Sequence, residues 1–150
     1  MEVGHGEDIA AIMPVMTAAF DPAFGEAWSE AQCRGALALP GCHLLLARDK
    51  DAVIGFAILR TVLDEAELML IAIDPAKQGQ GAGRLLLDAV MDLCTCQGVS
   101  QVHVEMRSDN PAFTFYAAAG FTVTGQRRNY YRRQDGKSAD ALSLCRVLPI

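Results

Sequence analysis

Three glycines in five positions, Gly79, Gly81 and Gly83, stand directly before a run that reads as a helix, in "DPAKQGQGAGRLLLDAV" from Asp74 to Val90. Glycine loses more backbone entropy on ordering than any other residue, so stability alone explains such a run poorly. Bare N–H groups at a helix entrance, reinforced by the helix dipole, form an anion site, most often for phosphate. The first expectation is therefore a phosphate-carrying ligand. Spacing narrows it. A triphosphate-binding loop needs G-x-x-x-x-G-K-[ST]; this loop has no Gly-Lys pair, and Gly136-Lys137-Ser138 has Tyr131 where the earlier glycine belongs. A dinucleotide fingerprint, G-x-G-x-x-G, would put its third glycine at Arg84 and belongs in a first strand–helix unit, not in mid-chain. What remains is Q-x-x-G-x-G, formed by Gln78, Gly81 and Gly83.

The elements that must hold this loop follow from periodicity. "AELMLIAI" ahead of it is apolar on both faces from Leu68 to Ile73, as in a covered central strand. The helix behind it runs over Arg84–Gln97 and stops at Gly98, and "VSQVHVEM" then alternates as a strand. This strand, loop, helix, strand unit makes two parallel strands. Upstream, Asp8–Ala19 carries Ile9, Ile12, Val15 and Met16 at helical spacing, with Pro14 as a kink. "DPAFGEAW" reads as a loop, and "SEAQ" from Ser29 is a capping box that opens a second helix reaching about Leu39. "HLLLA" and "VIGFAIL" read as strands joined at "RDKD". Downstream, Asn110 caps a short helix begun by Pro111 and ended by Gly120, and "FTVTGQRRNYY" and "ALSLCRVL" close the chain as strands across a turn at "QDGK".

Bulk properties set bounds. A chain of 150 residues suits one domain over 1–150, with a core that needs no staples. Thirteen basic against eighteen acidic residues, a net charge of −5, argue against a nucleic-acid surface. The five cysteines form an odd set without a C-x-x-C pair, which suits reduced thiols and neither disulfide nor metal roles. Acidic residues Glu2, Glu7 and Asp8 spoil a signal peptide, and no apolar run reaches a membrane span, so a soluble cytoplasmic protein is expected.

On the Q-x-x-G-x-G loop, and on Tyr116, Gly120 and Phe121 as a Y-x-x-x-G-F signature, the chain resembles the GNAT superfamily of acetyl-coenzyme A dependent N-acetyltransferases, over nearly its whole length. "AWSEAQ", "AELMLIAIDP", "VEMRSDN" and "RRNYY" resemble its RimI group, which acetylates the N-terminal alanine of a small-subunit ribosomal protein. The resemblance implies an α/β (α+β) GNAT fold: a mixed, mostly antiparallel sheet of six to seven strands with a splayed parallel pair, flanked by about four helices. It also implies acetyl-CoA as cosubstrate, no metal, and a protein or peptide N-terminus as partner. The coenzyme's contacts would come from Ile71, Ala72 and Ile73 on the central strand, from Gln78, Gly79, Gln80, Gly81, Ala82, Gly83 and Arg84 in the loop, and from Asn110 and Tyr116. Counted forward from Glu105, Asn110 holds the superfamily's asparagine position; counted back from Tyr116, Asp109 does.

Acyl transfer from a thioester to an amine needs a neutral amine, a polarised carbonyl and a proton for the leaving thiolate. Tyr116 suits the last role, because a phenol of pKa about 10 keeps its proton until a thiolate develops beside it. Its bland alternative is core packing beside Phe113 and Phe115. Two carboxylates compete as base: Glu105, matching the RimI group's glutamate, and Glu67, where other family members place theirs, here taken as a water-chain partner. His103 shares Glu105's strand face and is assigned to packing. At pH 7.5 about a quarter of an α-amine of pKa about 8 is neutral, against about one part in a thousand of a lysine, so a water-mediated base suffices for the former. Trp28 and Tyr130 are expected to wall the acceptor groove; Tyr130 and Tyr131 point to opposite faces of an extended strand, so only one enters it. The basic cluster Arg127, Arg128, Arg132 and Arg133 reads as a solvated rim. Acetylation of a lysine or small amine, and coenzyme binding without catalysis, remain as alternatives.

Overall fold

The structure, a computed structural model, describes residues 1–20, 26–132 and 136–149. The "DPAFG" part of the first loop, the turn residues 133–135 with Arg133, and the side chain of Arg132 lie outside the described residues. Elements run in the order β1 (Glu2–Gly4), α1 (Ile9–Ala19), α2 (Glu30–Leu37), β2 (Cys42–Asp49), β3 (Ala52–Val62), β4 (Glu65–Ile73), α3 (Ala82–Cys96), β5 (Gln101–Arg107), α4 (Ala112–Ala118), β6 (Thr122–Arg132) and β7 (Ser138–Val147). The strands form one seven-stranded sheet in the order β1-β2-β3-β4-β5-β7-β6, antiparallel except for β4 and β5.

Local chemistry sets most boundaries. Ser29 caps α2 through the expected box: its Oγ accepts from the Gln32 N–H at 3.1 Å, and its own N–H donates to Gln32 Oε1 at 2.7 Å. Helix α1 continues through Pro14 and buries Ile9, Ile12, Val15 and Met16. Asn110 Oδ1 accepts from the Ala112 N–H at 2.9 Å and so caps α4, whose helical turns begin one residue later than the sequence suggests. Strand β1 was not expected. Its three residues carry too short a pattern to read, and pairing with Leu44–Leu46 of β2 is what makes them a strand.

Two cores lie on the two faces of the sheet. Helix α3 covers one, with Leu86, Leu87 and Val90 against Ala57, Leu59, Leu68 and Val104. Helices α1 and α2 cover the other, with Ile9, Ile12 and Cys33 against Leu44, Phe56, Ile58, Leu70 and Ala72. Strand β4 serves both by changing phase. Leu59 pairs with Leu68 and Ile58 with Leu70, so Met69 is an extra residue, a bulge. Before it the even-numbered Ala66 and Leu68 face α3; after it the even-numbered Leu70 and Ala72 face α1.

The parallel pair splays. β4 and β5 are registered only from Glu65–Gln101 to Glu67–His103, yet β4 stays paired to β3 as far as Ile73 and β5 to β7 as far as Arg107. Beyond Glu67 the two strands part around a wedge through the middle of the sheet, leaving β4 backbone without strand partners on that side.

Candidate active site

The wedge opens into a cleft of about 940 Å³. Leu68–Ile73 of β4 and Val104–Arg107 of β5 line its sides, with Gln78, Gly79, Gly81, Gly83 and Arg84 from the glycine loop and Glu26, Trp28 and Tyr131 also in the lining. Asn110, Phe115 and Tyr116 complete the wall near α4. Of the coenzyme contacts expected from sequence, Gln80 and Ala82 do not line it.

At the glycine end the backbone demands glycine. Gly79 and Gly81 have φ of +79° and +84°, and a Cβ at either would meet no atom within 4 Å, so the space above the loop is open. Gly83 differs, because a Cβ there would make ordinary contacts with Phe115 and Ile73 at 3.6 and 3.7 Å. Gly81 is the N-cap of α3 and carries no capping side chain, which leaves the first N–H groups of a 15-residue helix directed outward. Gln78 stabilises the loop from behind, its Nε2 donating to the Ile73 carbonyl at 3.2 Å. The donor set suits an anionic, extended ligand such as a pyrophosphate.

Alternation along β5 decides what faces the other end. Val104 and Met106 enter the α3 core, so Glu105 and Arg107 project to the α1–α2 side. Glu105 is exposed and accepts a hydrogen bond from Tyr131 Oη at 3.2 Å. Arg107, only 6% exposed, is in ion-pair contact with Glu26, from the segment before α2, and lies 3.7 Å from Asp109. Burial raises the Glu26 carboxyl above its ordinary value, and Arg107 opposes that shift.

Tyr116 is buried between Phe115 and Phe121, edge-on to both at centroid distances of 5.4 and 5.5 Å. Burial, with a smaller contribution from the Glu26 charge, pushes its phenol well above the ordinary value, so the hydroxyl keeps its proton across all working pH. The packing reading of this residue holds, and the side chain also lines the cleft.

Three expectations change. Tyr130 does not line the cleft; it is 47% exposed with Arg127 stacked 4.7 Å from its ring centre, and Tyr131 faces the cleft in its place. The cause is an irregularity in β6. Arg127 pairs with Ala141 and Tyr131 with Ala139, so three residues oppose the single Asp140, and this irregularity, with Asn129 at φ +52°, resets the phase of the strand, leaving one of the two tyrosines, Tyr131, on the cleft side. Asp140 fixes the distortion by accepting from the Asn129 N–H at 2.9 Å and from Gln126 Nε2 at 2.6 Å. Secondly, Glu67 lies outside the main cleft, in an adjoining hollow of about 330 Å³ that it shares with Glu105 and His103. Thirdly, Glu26 and Arg107 were missed. Arg107 could have been noticed as a charge two residues after Glu105 on one strand face, but nothing local connects it to Glu26. His103 pairs with Glu65 at 3.0 Å and stays out of the cleft. The five thiols are free, and the described residues contain no group of three or more potential metal ligands.

A sheet splayed at one parallel pair, with a glycine-opened helix at the mouth of the gap, defines a class. Residues 11–131 match the Acetyltransferase (GNAT) domain, and the chain belongs to that family of acetyl-CoA-dependent N-acetyltransferases. Among individual proteins it is 39% identical over 124 residues to the ribosomal protein bS18-alanine N-acetyltransferase of Salmonella typhimurium, covering 82% of this chain and 81% of that one. It is 44% identical over 96 residues to the protein of that name from Escherichia coli, the aligned stretch spanning 63% of each. The crystal structure of the ribosomal-protein-S18-alanine N-acetyltransferase from Escherichia coli superposes with a TM-score of 0.89 at 31% identity, over 99% of this chain and 93% of that one. The resemblance read from the loop and the Y-x-x-x-G-F signature, and the mixed sheet of six to seven strands expected from it, are borne out, the sheet having seven.

Proposed function

We propose that this protein transfers the acetyl group of acetyl-CoA to the N-terminal α-amine of a protein, the alanine that begins a small-subunit ribosomal protein of the bS18 type. The observation that carries the reading is the wedge itself: a base, Glu105, projects to one side of it, an acid, Tyr116, lines it near α4, and strand backbone is free between them. The acceptor is inferred from the relatives named for that substrate.

Acetyl-CoA enters as a substrate along the glycine end. The N–H groups of the loop and of the first turn of α3 hold its pyrophosphate, and the free backbone of Ile71–Ile73 holds the pantetheine arm and the thioester carbonyl. The acceptor comes from the α1–α2 side, where Trp28 and Tyr131 border the groove. Its ammonium gives one proton through water to Glu105, and the freed nitrogen pair attacks the thioester carbon, after which the nitrogen releases its second proton to water. The tetrahedral oxyanion collapses, the C–S bond breaks, and the sulfur leaves against the Tyr116 hydroxyl. Because burial holds that phenol above a thiol near 8.5, the proton is shared while charge develops on sulfur, and the free thiol is completed as solvent equilibrates. Glu67 extends the water chain from its adjoining hollow toward Glu105. Asn110 lines the cleft and has its amide nitrogen available to the coenzyme, while its oxygen accepts from the Ala112 N–H.

The test is thiol release from acetyl-CoA with a peptide copying an alanine-initiated bS18 terminus and with the same peptide blocked at its α-amine. Turnover on the free amine alone is expected. Turnover on a lysine side chain or small amine, with none on the α-amine, would replace the acceptor and leave the acyl donor in place.

A further inference from the structure

We propose that Glu26 receives the acceptor's α-ammonium: its carboxylate, held by Arg107, is the counter-charge that fixes the amine in the cleft before Glu105 takes its proton. The inference rests on the acceptor reading above. An α-amine reaches the site mostly protonated, and an ammonium that leaves water needs a compensating charge. Glu105 already accepts from Tyr131, whereas Glu26 is held against Arg107, which lies two residues beyond Glu105 on the same face of β5, and both carboxylates line the cleft.

The placement of Glu26 fits this role in three ways. It lines the cleft together with Tyr116 and Tyr131, and its charge disfavours ionisation of both phenols, so its field falls on the ground between them. Its Oε1 is sealed against Arg107, yet the side chain retains 25% exposure, which opens on the cleft. Among the described residues Arg107 faces two carboxylates, Glu26 and Asp109, so the cluster keeps a negative balance despite the arginine. Arg107 thus acts as a positioning residue. It holds the Glu26 carboxylate in one geometry while leaving a net charge for the incoming cation.

The experiment measures binding without turnover. The protein saturated with coenzyme A is titrated at pH 7 with the alanine-initiated peptide and with its lactyl analogue, in which a hydroxyl replaces the α-amine. The wild type should prefer the amine by about tenfold, the scale of a hydrogen bond to a charged group, and Glu26→Gln should lose that preference while keeping its affinity for coenzyme A. If Glu26→Gln does not fold, Glu26→Asp, which keeps the charge but shortens its reach, should show a preference several-fold smaller. An undiminished preference in the folded variant, or none in the wild type, overturns the inference while leaving turnover intact. A wild type that binds neither peptide and turns over neither overturns the acceptor reading and this inference with it.

Discussion

Tyr116 combines two properties that usually compete. Its ring is held edge-on by Phe115 and Phe121 in the core, and its side chain reaches the cleft lining. Replacing it by phenylalanine keeps the packing and removes only the hydroxyl. Tyr116→Phe should lower kcat by about a hundredfold, at the lower end of what a positioned acid contributes, and leave acetyl-CoA affinity within about twofold. Steady-state rates beside a calorimetric Kd check this; equal losses in both would make Tyr116 a binding residue. At this scale the sequence was legible where a residue announces itself by type and motif, as Tyr116 and Glu105 do. It was silent where a residue matters through a distant partner. Glu26 and Arg107 meet only because the fold brings Glu26, ahead of α2, against the end of β5.

The glycine loop belongs to the element scale. Gly81 stands at φ +84° as the N-cap of α3, so any side chain there strains the turn and enters the open space over the helix N-terminus. Gly81→Glu adds a charge opposed to the pyrophosphate and should weaken acetyl-CoA binding by at least about tenfold, measured by calorimetry. Unchanged affinity would remove the loop from the coenzyme site. Removal of a cap has a different consequence. Ser29→Ala removes the Oγ that accepts from the Gln32 N–H and should destabilise the fold by about 1 kcal/mol in denaturant unfolding, with catalysis little altered. Periodicity and caps made α1, α2, α3 and the long strands readable, because these signals are local. The bulge at Met69 and the irregularity between Arg127 and Tyr131 were not, because each exists only in register with a neighbouring strand.

For the whole molecule, the two cleft tyrosines give stability a pH limit on the alkaline side. Tyr131 is pushed up to about 12, by burial first and the Glu105 charge second, and Tyr116 is raised by burial first. An unfolded tyrosine ionises near 10, so below that pH both states are neutral and the native state carries no penalty. As pH rises from about 10 toward 12 the unfolded chain releases protons that the folded chain retains, and stability is lost across that window. Thermal midpoints should fall steeply from pH 10 to 12, and Tyr131→Phe should flatten part of that fall. A slope unaffected by Tyr131→Phe would assign the loss to other groups.

Sequence by itself determined the order of elements from α1 onward, the glycine-opened loop at Gly79–Gly83, the family resemblance and the two residues expected to handle protons. Those features are encoded in neighbours along the chain, in spacing, capping and backbone freedom. Tertiary structure decided how far β4 and β5 remain together, and therefore where the cleft opens. It also turned Tyr131 rather than Tyr130 inward, set Glu67 in the adjoining hollow, and joined Glu26 to Arg107. Each of these depends on pairing register or on a contact between segments remote in sequence, and register is fixed only when both strands and the cores on either side are packed at once.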